Sequence, residues 1–378
     1  MAFPDDVPTL TSGDVTLRAH RPDDAEGVLE QCTDPLSQRW TTVPLGYTRE
    51  MADEYVRIDV SNMWASDKEW IFALECTHSD GRRRFGGSLS LRNEGSRRAE
   101  VAFGAHPDIR GRGVMTTAVH LLLDWGFAER DLETVLWLAN VGNFGSRRVA
   151  WKSGFAFGGT VRRWMDHREE YPDGWIGTLH RDDSRMPKNE WYAAPRLTGP
   201  AVALRPLRRD DVPRIVEACQ DDLSQQWLPV LPAPYTEADA HTYLDRTELL
   251  MANGEQVQWA VADLETDELI GNVGLPRMGS GNAEIGYWTH PQARGRGAMQ
   301  EAVRLVTDHG FRAADDGGLG LHRMFVKAAA DNVASQRVAL AASFEQCGRE
   351  RGAALHRDDR WHDVVVLEQT VADWGRRQ

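Results

Sequence analysis

Apolar residues recur three and four positions apart in two stretches of the chain, residues 115–125 and 299–306. This spacing gives a helix one apolar face, so it predicts an amphipathic helix in each stretch. A His-Pro pair and the tetrapeptide Arg-Gly-Arg-Gly precede both predicted helices. Since proline and glycine mark turns, each stretch is predicted to run from the end of a strand through a glycine loop into a helix.

The elements around these two stretches are predicted twice as well. A short strand at residues 15–18 leads through an acidic cap into a helix from Asp24, and residues 202–205 lead in the same way into a helix from Asp211. A second helix follows Thr48 in the first half and Thr236 in the second. Further strands are predicted at residues 70–75, 85–92, 99–105, 134–139 and 175–179, and at 258–263, 269–275, 283–289, 323–328 and 364–368.

The order of these elements predicts an α+β fold of two tandem α/β/α domains, each with a mixed, mostly antiparallel sheet flanked by helices. Repeated residues support a duplication, because the sequence Leu-Ser-Gln precedes Trp40 in the first half and Trp227 in the second. Residues 186–200 contain three prolines and a glycine without a helical or strand period, which is typical of a linker. We therefore predict domains at residues 1–185 and 201–378.

Composition restricts the environment and the partners. A chain of 378 residues with 41% hydrophobic residues can fill a core in two domains, and its net charge of −13 favours small cationic partners over nucleic acid. The four cysteines show no Cys-x-x-Cys spacing, a pattern typical of reduced thiols in the cytoplasm. The chain shows neither a leader pattern nor an apolar run long enough to cross a membrane, so we expect a cytoplasmic protein without a membrane span.

A glycine loop that opens directly onto a helix is a potential anion site, because N–H groups and the positive end of the helix dipole point towards the ligand. The expected ligand is a phosphate ester. A turn that merely reverses the chain is the alternative for a single copy. Two copies of Arg-Gly-Arg-Gly favour a functional loop, and neither nucleotide-binding fingerprint fits, because Thr116 and Gln300 replace the third glycine and no Gly-Lys-Ser or Gly-Lys-Thr sequence follows.

Four features, in order, resemble the GNAT superfamily of acyl-coenzyme A transferases, especially its branch of ribosomal-protein alanine N-acetyltransferases. They are the opening Leu-Arg strand with its acidic cap, the strand that carries a glutamate, the Arg-Gly-Arg-Gly loop, and a helix that begins Asn-x-x-Ser and leads to Gly-Phe. The resemblance covers nearly the whole chain, twice. It implies acetyl-CoA as the acyl donor and an amine as the acceptor, joined by direct attack without a covalent enzyme intermediate.

The resemblance implies that both loops hold the pyrophosphate of coenzyme A, although Met115 and Met299 stand where the family has glycine or alanine. The strand ends at residues 103–106 and 287–290 would pair with the pantetheine arm, and one strand N–H would polarise the thioester oxygen. The cofactor-binding residues implied in this way are Phe103, Ala105, Arg110, Gly111, Arg112, Gly113, Val114, Met115 and Asn143 in the first half, and Tyr287, Thr289, Arg294, Gly295, Arg296, Gly297, Ala298, Met299 and Asn332 in the second.

Glu100 and Glu284 each stand among apolar residues of a predicted strand. Partial burial raises the pKa of a carboxyl group towards the range of a general base, which the acceptor amine requires. A structural ion pair with an arginine is an equally good interpretation of both residues.

Ser146 and Ser335 follow Asn143 and Asn332 by three positions. Helix capping alone explains this spacing. The resemblance instead implies that the asparagine binds the pantetheine arm and the serine protonates the leaving thiolate. The first half continues to Gly-Phe whereas the second has Ser343 before its phenylalanine, so the first half is expected to be the more active.

Two other classes of function remain open: an acyl-CoA-binding regulatory or scaffold protein with one or both halves inactive, and a tRNA-dependent aminoacyl transferase. The acceptor is a small molecule or a peptide amine, and the protein is expected to be a monomer or a homodimer. Trp40 and Trp227 are interpreted first as packing residues and second as acceptor contacts. His356 and His362 lack a third ligand at a suitable spacing, so no metal is predicted.

Overall fold

A computed structural model describes residues 3–377 of the chain. The chain divides into two compact units, the first ending at Lys188 and the second beginning at Asn189. This boundary falls in the stretch predicted as a linker, but part of that stretch belongs to the second unit. Leu197–Thr198 form a strand of its sheet, and Ala194 is buried in its core.

The first unit is built on one eight-stranded sheet in the order β1-β2-β3-β4-β5-β6-β8-β7. Every neighbouring pair is antiparallel except β5 and β6, which run parallel. The strands are β1 (Leu10–Ser12), β2 (Val15–Arg18), β3 (Glu69–Thr77), β4 (Arg83–Gly95), β5 (Arg98–Ala105), β6 (Thr134–Asn140), β7 (Ala156–Val161) and β8 (Gly174–His180).

Six α-helices belong to the described part of the first unit. They are α1 (Ala25–Thr33), α2 (Pro35–Trp40), α3 (Arg49–Glu54), α4 (Val60–Ala65), α5 (Val114–Glu129) and α6 (Phe144–Lys152). A π-helical turn, Tyr55–Asp59, joins α3 to α4. Single 3₁₀ turns at Pro22–Asp24 and Pro107–Ile109 precede α1 and the glycine loop.

The second unit repeats this sheet in the order β9-β10-β11-β12-β13-β14-β16-β15, again with one parallel pair, β13 and β14. Its strands are β9 (Leu197–Thr198), β10 (Val202–Arg205), β11 (Val257–Asp263), β12 (Leu269–Gly279), β13 (Asn282–Thr289), β14 (Arg323–Ala329), β15 (Glu345–Leu355) and β16 (Trp361–Thr370). Its helices are α7 (Val212–Gln220), α8 (Asp222–Trp227), α9 (Glu237–Ala252), α10 (Ala298–Phe311), α11 (Val333–Ala341) and α12 (Val371–Gly375), with 3₁₀ turns at Arg209–Asp211, Pro291–Ala293 and Ala314–Asp316.

A buried ion pair fixes the start of each unit. The Arg18 guanidinium bonds both carboxylate oxygens of Asp24 at 2.8 Å, and Arg205 bonds both oxygens of Asp211 at 2.7 and 2.9 Å. Although burial opposes its ionisation, the bonds from Arg18 hold the pKa of Asp24 below its usual value. The repeated Leu-Arg strand and acidic cap therefore supply an ion pair that joins a strand to the helix that follows it.

The long helices α5 and α10 cover one face of each sheet, and their apolar stripes are buried there. Ala118, Val119 and Leu122 of α5 are fully buried, as are Ala302, Val303 and Val306 of α10. The predicted helical faces are thus confirmed. The outer strands β7 and β15 were not predicted, because their residues are largely exposed and carry no regular apolar alternation.

Candidate active site and cofactor loops

The two glycine loops have the same backbone conformation. Gly111 and Gly113 have φ angles of 74° and 78°, and Gly295 and Gly297 have 76° and 78°. These left-handed values favour glycine. A Cβ atom at any of the four positions would meet nothing within 4 Å, so the space in front of each loop is open.

Gly113 and Gly297 are also the N-cap residues of α5 and α10, and no side chain caps either helix. The N–H groups of a first helical turn have no partner inside the helix. Open space, unused N–H groups and the positive end of a helix dipole together fit a phosphate group.

The two arginines of each loop have different environments. Arg110 is tied to the N-terminus of α2, because its Nη2 donates to Asp34 Oδ2 at 2.7 Å and to Ser37 Oγ at 3.0 Å. Arg294 makes the same bonds to Asp221 and Ser224, at 2.5 and 3.1 Å. The serine of the repeated Leu-Ser-Gln sequence takes part in this contact in both units.

Arg112 and Arg296 are exposed, and within residues 3–377 no ion pair is recorded for either side chain. They therefore supply the cationic groups that are free to meet an anion at the loop. Arg110 and Arg294, in contrast, hold each loop against the helix beside it.

The parallel strand pair opens before each loop. β5 pairs with β6 from Arg98 to Val101, although β5 continues to Ala105. β13 pairs with β14 from Asn282 to Glu284 and continues to Thr289. The last residues of β5 and β13 therefore lie beyond the parallel ladder, and their N–H and C=O groups on that side can pair with an extended ligand.

Glu100 lies at the position where β5 leaves β6, and its carboxylate is one-fifth exposed. Arg92 Nη1 donates to Glu100 Oε1 at 3.0 Å, and Arg92 Nε donates to Glu69 Oε1 at 3.2 Å. Burial raises the pKa of Glu100 above its usual value, while Arg92 opposes the rise. Glu100 is thus both ion-paired and partly buried, so the structure agrees with both interpretations that its sequence left open.

Glu284 also has one arginine partner, and that arginine is more exposed to solvent than Arg92. Arg277 Nη1 donates to Glu284 Oε2 at 3.0 Å, and the Arg277 side chain is 77% exposed. The register places Gln256 where the first unit has Glu69, and Gln256 donates to the carbonyl of Thr247. The second unit therefore has one carboxylate where the first has two.

Asn143 and Asn332 are helix caps. The Oδ1 atom of each accepts from the backbone N–H three residues on, at 3.1 Å, from Ser146 and from Ser335. The capping interpretation is confirmed. Among the described residues neither Nδ2 group has a hydrogen-bond partner. Each amide can therefore donate a hydrogen bond at the N-terminus of its helix.

The two serine hydroxyls have different partners. Ser146 Oγ accepts from the indole Nε1 of Trp137 at 2.9 Å. An indole N–H can only donate, so the Ser146 hydroxyl keeps its own proton for another acceptor. Ser335 Oγ lies 3.1 Å from the Tyr287 hydroxyl, which also donates to the Ser335 carbonyl at 2.9 Å. The Ser335 proton is therefore directed to the phenol oxygen.

The face of β5 that looks towards α1 is lined with polar groups. The register sets Ser90 opposite Ala102 and Ser88 opposite Gly104. Ser90 donates to Glu69 Oε1 at 2.5 Å, and Ser88 lies 3.0 Å from His20. Burial lowers the pKa of His20 to about 4, so His20 is neutral at physiological pH. A Cβ at Gly104 would lie 2.5 Å from Nε2 of Gln31, whose amide therefore covers this glycine.

The same face of β13 is filled with larger groups. Trp288 takes the place of Gly104 and packs against a cluster that includes Ile215 of α7 and Leu244 of α9. Pro276 covers Gly286, with its Cγ 3.4 Å from the position of a Cβ there, and Gln258 covers Gly274. The second unit thus has an indole, a proline and a side-chain amide on this face, where the first has hydroxyl and carboxylate groups.

In each unit an arginine of the last hairpin bonds the second helix or the loop that follows it. In the first unit, Arg168 between β7 and β8 donates to the Val43 carbonyl at 2.9 Å. In the second, Arg357 between β15 and β16 donates to the carbonyl of Gln225 at 2.9 Å and to that of Leu231. These contacts place the hairpin over the side of the sheet on which Glu100 and Glu284 lie.

Trp40 and Trp227 are half-buried, and each contacts a residue outside its own helix. Trp40 lies 3.4 Å from the position of a Cβ at Gly142, next to the Asn143 cap. Trp227 packs edge-on against His356, with ring centroids 5.9 Å apart. The rings of His356 and His362 are 4.4 Å apart. Over the described residues no helix is long and apolar enough to cross a membrane.

Comparison with known families places the chain. The family model described as "Acetyltransferase (GNAT) domain" matches residues 14–156 and again residues 201–345. A probable N-acetyltransferase of Bacillus subtilis is 28% identical over 181 residues, which cover 45% of this chain and 94% of that protein. A ribosomal-protein-serine acetyltransferase of Escherichia coli is 34% identical over 109 residues, which cover 28% of this chain and 56% of that protein.

Solved structures resemble one unit at a time. A ribosomal-protein-S5-alanine acetyltransferase from Vibrio fischeri aligns with 48% of this chain and 98% of its own length, at 20% identity and a TM-score of 0.42. Each such alignment spans about half of the present chain.

Proposed function

Since this chain belongs to the acetyltransferase (GNAT) family, we propose that its first unit transfers the acetyl group of acetyl-CoA to a cationic amine and that its second unit binds coenzyme A without catalysing that transfer. The chain is an acyltransferase with an amine acceptor, as the family match on both units shows. The residues, the acceptor class and the division of labour between the units are our proposal.

The loops fit the cofactor on the geometry of this chain. The N–H groups of Val114 and Met115, and those of Ala298 and Met299, open the uncapped helices α5 and α10. They would hold the pyrophosphate together with Arg112 and Arg296. The free edges of residues 102–105 and 285–289 would pair with the amides of the pantetheine arm, and Asn143 or Asn332 would donate to that arm through Nδ2.

Coenzyme A, when bound, presents the acetyl group as a thioester. Glu100 would accept the proton of the attacking amine on a carboxylate oxygen, a role supported by its raised pKa and its place where the sheet opens. Arg92 opposes the rise in the pKa of Glu100 and so favours the ionised form. Ser146 would give its hydroxyl proton to the departing sulfur and take a proton back from water, since Trp137 leaves that proton unused.

One observation carries the assignment of the transfer to the first unit. Glu69 and Glu100 share a single cation, Arg92, on a face that Ser88 and Ser90 keep polar. These three groups together are net negative, and they favour a protonated amine as the approaching ligand. An N-terminal amine is one such group. The relative from Escherichia coli acts, by its name, on ribosomal protein, and a protein N-terminus is the first acceptor to test.

The proposal also includes a cytoplasmic location, supported by four cysteines that form no disulfide. The oligomeric state, a monomer or a homodimer, stays a prediction.

The test is calorimetric titration of acetyl-CoA into the full chain and into Gly113→Asp and Gly297→Asp variants, followed by an assay of thiol release with a panel of amines. We expect two binding sites in the wild type and one in each aspartate variant, because a carboxylate at the loop repels the pyrophosphate. Amine-dependent thiol release should disappear only in Gly113→Asp.

Gly113→Asn and Gly297→Asn are the matched controls. Asparagine has the size of aspartate and tolerates the same left-handed φ, but it carries no charge. Each control should retain much of its site. Equal loss in the Asn and Asp variants would mean that bulk, not charge, acts there. Thiol release that follows Gly297→Asp would contradict the assignment to the first unit.

A further inference from the structure

Two buried histidines and a carboxylate meet at the base of the first glycine loop. His78 follows β3, His106 follows β5, and Asp108 lies in the 3₁₀ turn Pro107–Ile109. One ligand atom from each of the three residues lies within 4.8 Å of the other two. None of the three takes part in the acyl transfer proposed above.

The partners of both rings determine where their protons lie. His78 Nε2 is 2.9 Å from the carbonyl oxygen of Phe85, and His106 Nε2 is 2.9 Å from Glu30 Oε2. A carbonyl and an ionised carboxylate can only accept, so each Nε2 carries a proton, and Nδ1 is the nitrogen of each ring that can bind a metal ion. Histidines that bind metal are held in this way, with the second ring nitrogen donating to a carbonyl or a carboxylate.

Both Nδ1 atoms turn towards Asp108. His78 Nδ1 is 3.4 Å from Asp108 Oδ2. His106 Nδ1 accepts from the backbone N–H of Asp108 at a long 3.3 Å. An imidazole nitrogen and a carboxylate oxygen at this distance attract each other only when a proton or a metal ion lies between them.

The second unit shows a cation at the corresponding place. His290 repeats His106, and its Nε2 meets Glu217 at 3.1 Å, but its Nδ1 accepts from the Arg214 guanidinium at 3.2 Å. Gln292 replaces Asp108, and the first unit has Gly27 where the second has Arg214. At these two positions beside the histidine the first unit therefore has a carboxylate and no arginine, whereas the second has an arginine and an amide.

We propose that His78, His106 and Asp108 form a divalent-metal site, suited to Zn²⁺. Two imidazole nitrogens and one carboxylate oxygen, completed by water, are a ligand set that Zn²⁺ accepts in tetrahedral geometry. The metal would link the hairpin between β3 and β4, which carries His78, to the glycine loop, which begins at Arg110, two residues after Asp108. Asp108 is 40% exposed, which gives the ion a path from solvent.

One charged group opposes the ion. Arg84 Nη2 donates to Asp108 Oδ2 at 3.1 Å, and it also lies 3.9 Å from Asp80 Oδ2. On metal binding, the Arg84 guanidinium would move to Asp80, so Arg84→Ala should bind the metal more tightly than the wild type. A purely structural cluster would show no such gain.

The test uses the full chain without an affinity tag, freed of metal by a chelator and titrated with Zn²⁺ and, for a visible readout, with Co²⁺. We expect one equivalent of Zn²⁺, with Co²⁺ giving the strong absorption of a tetrahedral site. Asp108→Gln, which installs the residue of the second unit, should weaken the affinity by at least about tenfold. His362→Gln, in the stacked pair of the second unit, is the matched control and should leave the equivalent in place.

Thermal unfolding gives an independent readout, because a ligand that binds the folded state raises the midpoint. Zn²⁺ should raise the unfolding midpoint of the wild type and of His362→Gln, and not that of Asp108→Gln. The proposal is wrong if the wild type takes up no equivalent at micromolar Zn²⁺, if Asp108→Gln binds as tightly as the wild type, or if the equivalent is lost in His362→Gln instead.

Discussion

The two units carry the same glycine loop on the same sheet, but they differ on the face of the strand that leads into it. In the first unit Gly104 lies beneath the amide of Gln31, among serine and glutamate side chains. In the second unit Trp288 fills the equivalent place and packs against α7 and α9. The serine at the start of the next helix also differs, since Ser146 accepts from an indole and Ser335 meets a phenol.

The comparison shows which part of a duplicated site is the same in both units. Phosphate binding by backbone N–H groups needs only the chain conformation that two glycines with positive φ allow, and both loops retain it. An acceptor site depends on side chains from several distant elements. Each of these side chains can be replaced without disturbing the loop, so one unit can keep a cofactor site and fill its acceptor site.

The largest expected effect comes from the glutamate at the opening of the sheet. Glu100→Gln should lower kcat for amine acetylation by about 10²- to 10⁴-fold, the range of a general base. The measurement is steady-state thiol release at saturating acetyl-CoA. Glu284→Gln, the same change in the second unit, should leave kcat within about twofold.

Equal losses in the two glutamine variants would show that both units catalyse transfer and would overturn the distinction drawn here. Acetyl-CoA titration on both variants separates a lost base from a damaged fold, because each should still bind two equivalents.

An exchange of side chains between the units should have a smaller effect. Gln31→Ala combined with Gly104→Trp gives the first unit the filling of the second, since Ala218 and Trp288 stand at these positions. Overpacking of about 1–3 kcal/mol that opposes amine binding corresponds to a loss of about 5- to 160-fold in kcat/KM for the amine. The KM for acetyl-CoA should change little.

The reverse exchange, Ala218→Gln with Trp288→Gly, is the control in the second unit. It tests whether the side chains that fill this face of the strand are enough to explain the proposed difference in activity between the units. New turnover in this variant, measured in a Glu100→Gln background, would show that the second unit retains the remaining catalytic groups.

The smallest expected effect is a shift in pH dependence. Burial raises the pKa of Glu100 and Arg92 lowers it, so Arg92→Ala should raise that pKa further. A general base must be ionised, and the acid limb of the profile of kcat/KM against pH should therefore move to higher pH. The profile is measured with one amine across the acid range.

Arg277→Ala removes the corresponding partner of Glu284 and should leave the acid limb of the kcat/KM profile at the same pH. A limb that moves to lower pH in Arg92→Ala, or that moves equally in Arg277→Ala, would contradict the role of Glu100 as the base.

Much of the fold followed from periodicity. The strand Val15–Arg18 and the strand Val202–Arg205 were predicted with their observed ends, and the helices after the glycine loops were found from their apolar stripes. The family prediction is confirmed on both units. The site residues named from the resemblance stay predictions until the variants above are measured.

The sequence missed features that depend on contacts between distant elements. Arg110 and Arg294 were expected at the cofactor, and their guanidiniums are tied to Asp34 and Asp221. Spacing along the chain could not indicate this, because the partners come from an earlier helix. The partners of the two serines could not be inferred either, since Trp137 and Tyr287 stand on strands at unequal positions in the two repeats.

By itself, the sequence determined the duplication, the order of most strands and helices, the family and the two glycine loops, because these depend on local pattern and on the conformational freedom of glycine. Only the tertiary structure decided which face of each strand is filled, which proton each serine can give, and that His78 meets His106 and Asp108. Sheet register and helix packing set these contacts between residues far apart in the chain, and no short-range pattern records them.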